Sequence, residues 1–486
     1  MRVAVIGTGH VGLITCVTFA RAGHHVVGLD SDDHKVAFLA VGEPPFYEPG
    51  LEDLLHEELE AGRLRFTSHP EEAVAGAEVA FICVGTPPLA NGEASLVAVE
   101  EAARAVALHA PDGIVVVEKS TVPAGTAERV AVTIARERPG LKFHVVSNPE
   151  FLREGRAIAD SLRPDRILVG AGSVRAFQAM RRLYRPFTRA GATLIETDVP
   201  TAELAKHACN AFLALKISFG NALARICELA GADVVAVADV MGADHRIGRD
   251  FLDVGLGYGG YCFPKDLVAF ERLAERLGYP FPLLREIARI NDEAVEAAAM
   301  KVAEALWNLE GKRVALFGLA FKPGTDDVRF SPALALARRL LRAGARVIGY
   351  DPRATALASE AMPELELAAD PYEAADGAHC AVLCTDWDEF GTLDLARLRR
   401  AMRYPVLVDG RNMFDRADME EAGFAYYPTG RPPVLPNLLW SPANGSGSPK
   451  RPHPVSTAPF RPEREPLTEP AADGHAILGA GTSGRR

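Results

Sequence analysis

Short apolar runs alternate with helical stretches through the first 197 residues of the chain. Each run is long enough for one β-strand, and each is followed by a segment with the three-to-four-residue periodicity of a helix. Strands that alternate with helices usually pair in parallel, so this part predicts a doubly wound sheet with helices on both faces. The runs are RVAVIG, HVVGLD, VAFICVG, IVVVEKS, FHVVSNPE, RILVGAG and TLIETD.

A long helical pattern comes next, and a second alternating unit follows it. From Pro200 to about Ala230 apolar residues recur at steps of three and four, which predicts one helix with an apolar face. A helix of this length, about 45 Å, would connect two domains. The apolar face consists of Leu204, Ala208, Ala211, Leu215, Phe219, Ala222 and Ile226. More helical sequence continues to about Leu309, before the strand-like runs KRVALFGLAF, ARVIGYDP, CAVLCTD and PVLVDGRN.

The pattern therefore predicts an α/β protein with two Rossmann-like doubly wound domains, joined by a long central helix and a helical domain. We expect the first α/β domain at residues 1–197, the helical domain at 198–309 and the second α/β domain at 310–435. Residues 436–486 are rich in proline, glycine and serine and show no apolar periodicity, which predicts a disordered tail.

The composition is that of a globular protein with no nucleic-acid or membrane partner. Of the 486 residues, 48% are hydrophobic and 24% are charged, and the net charge of -11 gives no positive field to attract an anionic polymer or membrane surface. No apolar run reaches the roughly 18 residues of a membrane helix. Seven irregularly spaced cysteines predict a reducing cytoplasm. Cys380 and Cys384 lack the second pair that a zinc site needs, so no metal is expected.

A glycine-rich turn between the first strand and the first helix predicts a dinucleotide site. Gly7 permits the tight turn, Gly9 lets a pyrophosphate approach the backbone, and Gly12 lets the helix pack closely on the strand. The helix N-terminus then faces the phosphates with its partial positive charge. Asp30 ends the next strand, where a carboxylate accepts hydrogen bonds from the adenosine ribose and repels a 2′-phosphate. The sequence therefore predicts NAD rather than NADP.

Polar residues also follow three further strands of the first unit. Thr86 and Thr121 each follow an apolar run, and Glu150 and Glu154 follow FHVVS at the i, i+4 spacing of a helix. Ligands of open α/β sheets bind outside the carboxyl ends of the strands, so these side chains are candidates for a dinucleotide or substrate site. Threonines that merely end strands and glutamates on a solvated surface would give the same pattern.

A cysteine stands in an unusual setting in YGGYCFPKD. Cys262 follows glycines, which bring backbone close to a ligand, and precedes a lysine and a carboxylate. On the long helix, Lys206 and Asn210 are four residues apart, so both project from one face. They predict an interhelical hydrogen bond or, together with the thiol, a reaction site.

Basic residues follow strands of the second unit as well. FGLAFKPGTDDVR begins as a strand and breaks at Lys322, which places Lys322 and Arg329 near a second strand-end crevice. Arg411 follows another strand, in DGRN. These cations are candidates for binding the diphosphate of a sugar nucleotide, although lysine and arginine are common on any surface.

Taken in order, these segments resemble the UDP-glucose/GDP-mannose dehydrogenase family from residue 1 to about residue 430. The matching segments are GTGHVGL, EPGL, VGTP, STVPAGT, NPEFLREG, AKHACNAFLALKISFGN, RIG, GYGGYCFPKD, FGLAFKPGTDDVR and DGRN. The resemblance implies a two-stage oxidation of UDP-glucose at C6 to UDP-glucuronate by two NAD⁺. An aldehyde cannot lose hydride until a nucleophile adds to it, and a thiolate would form a thiohemiacetal whose oxidation leaves a thioester for water. His10 departs from the family pattern, which commonly has an aromatic residue there.

The resemblance also implies a role for individual residues. Cys262 would be the nucleophile, and Lys206 and Asn210 would stabilise the oxyanion. The residues implied to position or activate water are Asp266, Thr121 and Glu150, the last as general base. Contacts to NAD are implied at Gly7, Gly9, Gly12, Asp30, Lys35, Thr86, Thr121, Glu154 and Arg329. Contacts to the sugar nucleotide are implied at Glu150, Phe151, Leu152, Glu154, Lys206, Asn210, Arg246, Phe251, Gly257, Tyr258, Gly259, Phe321, Lys322 and Arg411.

Arg246, in HRIG, is implied to reach the substrate site of a neighbouring subunit. The resemblance therefore implies a homodimer or higher homo-oligomer built on the long helix.

Three other interpretations stay open. A sister enzyme acting on GDP-mannose or a UDP-N-acetylhexosamine would use the same scaffold and nucleophile. A single-step hydroxyacid dehydrogenase also joins a Rossmann unit to a helical domain, but it needs no thiol. A non-catalytic NAD-sensing or scaffold protein would need no catalytic motif.

Overall fold

Eight strands of the first α/β unit form one sheet, whose central strands have side chains buried on both faces. The strands are β1 (Arg2–Ile6), β2 (His25–Leu29), β3 (Leu64–Thr67), β4 (Val79–Ile82), β5 (Ile114–Glu118), β6 (Phe143–Ser147), β7 (Arg166–Ala171) and β8 (Thr193–Thr197). In the computed structural model, which describes residues 1–435, they lie in the order β3-β2-β1-β4-β5-β6-β7-β8. The tail predicted at 436–486 lies outside the described residues. Along β1, Val3 and Val5 join one core while Ala4 and Ile6 join the other.

One pair of strands departs from the predicted parallel arrangement. All neighbours in the first sheet are parallel except β6 and β7, where Val146 pairs with Ala171 in the antiparallel sense. The prediction is wrong at this junction because the connection contains only a six-residue helix, Ala157–Leu162, and irregular chain. A parallel connection needs a longer crossover to return the chain to the end of the sheet at which β6 begins.

Helices cover both faces of this sheet. They are α1 (His10–Arg21), α2 (Asp33–Ala40), α3 (Leu51–Glu60), α4 (Pro70–Val74), α5 (Val97–His109), α6 (Thr126–Glu137), α7 (Ala157–Leu162), α8 (Val174–Leu183) and α9 (Arg185–Arg189). The first of them, α1, is buried from Gly12 to Ala20, so the strand–turn–helix unit that begins the chain lies in the middle of the core.

The central part of the chain is helical, as the sequence predicts. Its helices are α10 (Val199–Ala230), α11 (Val234–Gly242), α12 (Cys262–Arg276) and α13 (Pro282–Leu306). The 32 residues of α10 span about 48 Å. The Asp198 carboxylate caps its start by accepting from Thr201 N, and Gly231, with a φ of +75°, ends it. Within residues 1–435, no helix combines the length and the apolar character needed to cross a membrane.

The predicted apolar face of α10 packs inside this chain only in part, because Ala211 is buried and Leu215 packs beside it, whereas other large residues of that face are exposed. Leu204, Phe219 and Ile226 keep 43%, 50% and 60% of their surface exposed. The packed face carries small and polar residues, among them Ala202, Lys206, Asn210, Ala214 and Ser218. Its polar side chains bind partners in other segments: Lys206 contacts the loop after β6, Asn210 contacts α12, and Ser218 donates to Ile287 O on α13.

The second α/β unit is a six-stranded parallel sheet. Its strands are β9 (Arg313–Phe317), β10 (Arg346–Tyr350), β11 (Glu366–Leu367), β12 (Cys380–Leu383), β13 (Val406–Asp409) and β14 (Ala425–Pro428), in the order β11-β10-β9-β12-β13-β14. Its helices are α14 (Pro332–Arg342), α15 (Thr355–Ala361), α16 (Pro371–Ala375), α17 (Asp388–Gly391), α18 (Leu395–Ala401) and α19 (Arg416–Glu421). Three strands, β3, β11 and β14, are absent from the sequence prediction because each is short and lies at or near a sheet edge.

Loops at the carboxyl ends of the two sheets meet. Gly155 follows β6 and Gly324 follows β9, and a Cβ placed on Gly155 would lie 2.9 Å from the carbonyl oxygen of Gly324. Nearby, the Tyr47 amide donates to Asp326 Oδ2 at 3.0 Å. The strand-end crevices of both units therefore open onto shared space, which is where a ligand of such sheets binds.

Candidate active site

The glycine-rich turn after β1 has room for a dinucleotide. A Cβ on Gly12 would lie 1.8 Å from Gly7 O, whereas a Cβ on Gly9 would meet no atom within 4 Å. Helix α1 therefore packs tightly at Gly12 and leaves open space at Gly9, its N-cap, which makes no side-chain capping bond. Backbone N–H groups at this positively polarised end fit a pyrophosphate.

The carboxylate at the end of β2 also fits NAD. Asp30 Oδ2 accepts from Thr8 N at 2.9 Å and Thr8 Oγ1 at 2.7 Å, and Lys35 Nζ lies 3.2 Å away. Burial alone would raise the pKa of Asp30, but the bonds from Thr8 and the charge of Lys35 lower it below its ordinary value. Asp30 therefore stays ionised, as an acceptor for ribose hydroxyls must.

Two threonine loops close the same side of the first sheet. Thr86 follows β4 and is buried, and its Oγ1 donates to the carbonyl of Thr121, which follows β5, at 3.1 Å. The Thr86 hydroxyl thus joins the two loops. The Thr121 side chain is half-buried and is more exposed than that of Thr86.

The candidate nucleophile begins a helix. Cys262 is the first residue of α12 and is partly buried. Burial and the carboxylates of Asp266 and Glu150 raise the pKa of its thiol to about 12, although the charge of Lys206 acts in the opposite direction. In the chain without ligands, the thiol is therefore protonated at neutral pH.

A buried ion pair stands beside this thiol. Lys206 Nζ lies 2.8 Å from Glu150 Oε1 and donates to the Glu150 carbonyl at 2.7 Å. Burial would lower the pKa of Lys206, but Glu150, Cys262 and Asp266 raise it above its ordinary value. The ammonium is therefore retained in a place where water is largely excluded.

A second set of buried polar side chains joins α10 to α12. Asn210 Nδ2 donates to Asp266 Oδ2 at 2.6 Å, and Lys265 Nζ lies 2.8 Å from Asp266 Oδ1. Burial would raise the pKa of Asp266, but Lys265 and Lys206 lower it below its ordinary value. Lys206 and Asn210, predicted to share a face, thus hold two different carboxylates from neighbouring positions on α10.

The segment that carries Glu150 and Glu154 is not helical, so the predicted i, i+4 relation is wrong. Residues 148–153 have no regular secondary structure, and α7 begins only at Ala157. Glu150 Oε2 accepts from Leu152 N at 2.7 Å, and Gly155 has a φ of +76°. The loop therefore sends the two carboxylates to different partners.

Glu154 faces both α/β units. Burial raises its pKa to about 7, assisted by Asp327 and opposed by His10 and the cations Arg329 and Lys322. Burial also lowers the pKa of Lys322, whose charge Glu154 helps to retain. An acid that titrates near neutrality thus lies between the dinucleotide turn and the second unit, and perturbed acids of this kind are typical of functional sites.

The glycine loop, residues 255–261, lies directly before Cys262. Gly257 and Gly260 have φ values of +108° and +75°, which favour glycine. A Cβ on Gly259 would lie 2.4 Å from Phe330 O and 2.9 Å from Phe321 Cβ. Tyr258 is 7% exposed. The loop therefore packs its backbone against Phe321 and the segment after β9.

Lys322 and Arg329, two cations of the second unit, have different neighbours. Lys322 lies with its Nζ 5.6 Å from the centre of the Phe321 ring. Arg329 pairs with Asp327 at 2.7 Å and stacks on Tyr261 at 4.6 Å. These two lie close to Glu154 and the glycine loop.

Arg411 reaches the glycine loop from β13. Its Nε donates to Asp386 Oδ1 at 2.8 Å, and a Cβ on Gly255 would lie 2.5 Å from its Nη1. Asp386 was not identified from the sequence, and its acidic side chain in CTDWDEF gave no signal beyond that of a surface residue.

The remaining residues predicted to bind the substrate do not all lie at this chain's site. Phe151 lies under Arg166 at 4.0 Å and within 5.4 Å of Lys206 Nζ. Phe251 lies beside Phe263, with ring centres 6.4 Å apart. Arg246 is not brought to this chain's site.

The Arg246 side chain is 78% exposed and pairs with Asp244 at 2.5 Å.

Several positions that hold the site together are missed by the sequence prediction. Glu48 is buried, and its two oxygens accept from Gly155 N and Ala157 N at 2.7 Å each, which fixes the loop that carries Glu154. The EPGL segment matched the family, but nothing in it shows that its glutamate caps a distant helix.

Two residues of α10 bind the loop after β5 in the same way. Glu203 accepts from Gly125 N and Ala127 N at 2.7 and 3.0 Å, and His207 Nε2 donates to Val122 O at 2.9 Å. Their spacing of four residues is helical, which is the only signal that they act together.

The arrangement combines a thiol, a buried cation and two carboxylates in one crevice. The thiol can add to a carbonyl carbon, the Lys206 ammonium and the Asn210 amide can stabilise the resulting oxyanion, and a carboxylate can take a proton from water. No group of His, Cys, Asp and Glu within residues 1–435 is placed to hold a metal ion.

Comparison with known proteins gives the family. The family models for UDP-glucose/GDP-mannose dehydrogenases match residues 1–188 as NAD binding domain, 200–293 as central domain and 315–416 as UDP binding domain. UDP-glucose 6-dehydrogenase from Pseudomonas aeruginosa is 45% identical over 445 residues, which cover 89% of this chain and 98% of that protein.

Two solved structures resemble the fold. A UDP-glucose dehydrogenase from Pyrobaculum islandicum has a TM-score of 0.82 and 41% identity, over 88% of this chain and 97% of that one. A UDP-D-ManNAc dehydrogenase from Pyrococcus horikoshii has a TM-score of 0.78 and 30% identity, over 89% and 99%. The chain belongs to the UDP-glucose/GDP-mannose dehydrogenase family, and NAD is its cofactor.

The first prediction concerns the pH dependence of stability. The pKa of Glu154 is about 7 in the folded chain and lies near 4.3 in an unfolded one, so the folded state binds the extra proton and loses stability as the pH rises between these values. Glu154→Gln removes this loss. Between about pH 5 and about pH 8, the melting temperature of the wild type should fall further than that of Glu154→Gln.

The control is Glu364→Gln, at an exposed glutamate, which should follow the wild type at both pH values. Equal pH responses of the wild type and Glu154→Gln would contradict the raised pKa.

Proposed function

We propose that the chain oxidises UDP-glucose at C6 to UDP-glucuronate with two NAD⁺, the activity of a UDP-glucose 6-dehydrogenase. The observation that carries this proposal is the buried Lys206 ammonium beside Cys262, with Asn210 and Asp266 one helical turn further along. The 45% identity to a UDP-glucose 6-dehydrogenase over nearly its whole length supports the choice of substrate.

The first stage turns the C6 alcohol into an aldehyde. Bound NAD⁺ supplies the hydride acceptor for both stages. Lys206 and Asn210 would donate hydrogen bonds to the C6 oxygen and stabilise the negative charge that develops on it. The hydroxyl proton would pass by way of Lys206 to Glu150, whose carboxylate lies 2.8 Å from the ammonium.

The second stage uses the thiol. The sulfur of Cys262 forms a bond to the aldehyde carbon, and the thiol proton moves to the aldehyde oxygen, which gives a thiohemiacetal. Because its pKa is about 12, the thiol would hold its proton until the aldehyde is present to accept it. Loss of the second hydride then leaves a thioester, and the hydroxyl proton would pass by way of Lys206 to Glu150 as in the first stage. Glu150 would release the proton of each stage to water before the next stage begins.

Water completes the reaction by cleaving the thioester. Glu150 would remove a proton from the attacking water, while Asp266 and Thr121 would position it. The carbon–sulfur bond breaks, the sulfur regains a proton and the sugar leaves as a carboxylate. General-base assistance of this kind contributes about 10²- to 10⁴-fold to a rate.

The other predicted residues would bind the two ligands. Gly7, Gly9, Gly12, Asp30, Lys35, Thr86 and Arg329 would contact NAD. Phe151, Leu152, Phe251, Gly257, Tyr258, Gly259, Phe321, Lys322 and Arg411 would contact the sugar nucleotide, and Glu154 would lie between them. In the same proposal residues 1–197 bind NAD, 198–309 dimerise and 310–435 bind the UDP-sugar.

A homodimer built on α10 would cover the exposed apolar face of that helix. Three of its large side chains, Phe212, Phe219 and Ile226, are 62%, 50% and 60% exposed. A second copy of the chain, which presents the same face, would bury them by two-fold symmetry. Arg246, which is exposed in this chain, would then be free to reach the neighbouring site.

The cellular location we propose is the cytoplasm. All seven cysteines are free thiols, and the catalytic role proposed for one of them requires that it stay reduced.

A sister specificity is the second candidate. The fold resembles a UDP-D-ManNAc dehydrogenase at a TM-score of 0.78 and 30% identity, so an N-acetylated UDP-hexosamine is the substrate to test against UDP-glucose.

The function predicts a stoichiometry. With UDP-glucose in limiting amount, the wild type should produce two NADH per sugar, measured by absorbance. With GDP-mannose or UDP-N-acetylhexosamines it should produce NADH more slowly or not at all. Cys262→Ala should lose at least about 10³-fold in the overall rate because no thiol can capture the aldehyde. A ratio of one NADH, unchanged in Cys262→Ala, would indicate a single-step dehydrogenase instead.

A second variant tests the nucleophile itself. Cys262→Ser should turn over very slowly because a hydroxyl is far harder to ionise than a thiol and its ester is harder to cleave. Mass spectrometry of the stalled enzyme should find the sugar attached at residue 262. Turnover at the wild-type rate would exclude this residue as the nucleophile.

The dimer makes its own prediction. Phe219→Glu places a charge in the proposed interface and should shift the mass in light scattering to that of one chain. Phe38→Glu is the matched control, because Phe38 is 54% exposed on α2 in the first α/β unit and should leave the dimer intact. A wild type that already has the mass of one chain would contradict the interface.

A further inference from the structure

We propose that Asn291 is a positioning residue for the sugar-nucleotide site, which it serves by fixing the middle of the glycine loop from α13. The proposal rests on the proposed function where it names the ligand, but its structural part does not. Asn291 belongs to none of the matched segments. It lies on α13, whereas the glycine loop leads into α12.

Two hydrogen bonds carry the inference. Asn291 Oδ1 accepts from Tyr258 N at 2.7 Å, and Asn291 Nδ2 donates to Tyr258 O at 3.0 Å. The side-chain amide therefore uses its acceptor and one donor on both polar groups of a single residue, as a neighbouring β-strand would. Such a pair fixes the orientation of the backbone as well as its distance from α13.

The glycine loop is built to receive this side chain. A Cβ on Gly257 would lie 2.7 Å from Asn291 Oδ1, so the absence of a side chain there lets the amide reach the backbone. Glycines also leave the loop with more conformational freedom to lose than other residues would. A loop of this composition needs bonds from outside to hold one conformation.

Two other bonds hold only the ends of the loop. Gly255 N donates to Asn221 Oδ1 at 2.9 Å, and Gly260 N donates to Arg329 O at 2.9 Å. Between them, Asn291 makes the bidentate attachment at Tyr258, which lies four residues before Cys262. Because reacting atoms must approach within about 3–3.5 Å, a shift of the loop would displace both the sugar and the thiol.

The experiment compares Asn291→Ala and Asn291→Asp with the wild type. Hydrogen–deuterium exchange of the ligand-free protein reports on the loop directly, and exchange of the peptide that covers 255–262 should be at least about tenfold faster in Asn291→Ala. The KM for the sugar nucleotide should rise about tenfold and kcat should fall, while the KM for NAD⁺ stays within about twofold. Asn291→Asp keeps the acceptor for Tyr258 N and loses the donor, so it should lie between.

The matched control is Glu293→Ala, on the same helix. The Glu293 side chain is 58% exposed in a surface pair with Arg289, so its loss should change neither exchange nor KM. If Asn291→Ala folds poorly, the exchange and KM of Asn291→Asp decide the matter.

The outcomes separate this proposal from the proposed function. Exchange and sugar-nucleotide KM at the wild-type values in both Asn291 variants would overturn the positioning role. A wild type that ignores UDP-glucose but oxidises another sugar nucleotide would contradict the proposed substrate, and the KM for that other sugar would then test Asn291.

Discussion

The structure of this site depends on one constraint, the cost of keeping an ammonium ion out of water. Lys206 is 4% exposed, and an unpaired charge in such a place would lose its proton or unfold the region. Glu150 supplies the pairing charge, and Asp266 and Cys262 lie close enough to strengthen it. The loop after β6 must therefore bring Glu150 to α10. Helix α12 must begin at Cys262, so that Asp266 follows one turn later beside Asn210.

The same constraint decides which face of α10 packs within the chain. Lys206 and Asn210 need partners from other segments, so their face lies against the loops and α12. Glu203 and His207 use adjoining positions to bind the loop after β5. One helix thus connects the dinucleotide side of the crevice to the sugar side, and its large apolar residues are left pointing outward. A change at either side of the crevice would act on the other through this helix.

Much of the fold could be predicted from the sequence because buried strands appear as apolar runs, although the periodic apolar face of α10 is largely exposed. The parallel strands, the glycine turn at Gly7 and the start of α10 follow from patterns within a few residues. What the sequence does not reveal are contacts between segments far apart in the chain, such as Glu48 with the loop before α7. The i, i+4 relation of Glu150 and Glu154 failed for the same reason, since the ion pair with Lys206 overrides the local helical spacing. The antiparallel β6–β7 pair likewise depends on a connection whose path no local pattern specifies.

The protonated state of Cys262 has a consequence for the life of the protein in the cell. Thiolates react with peroxide and disulfides far faster than thiols do, and a thiol with a pKa of about 12 is almost entirely protonated at neutral pH. The burial that delays ionisation should therefore spare this sulfur from oxidants while the crevice is empty. The protonated state of the sulfur is itself the protection.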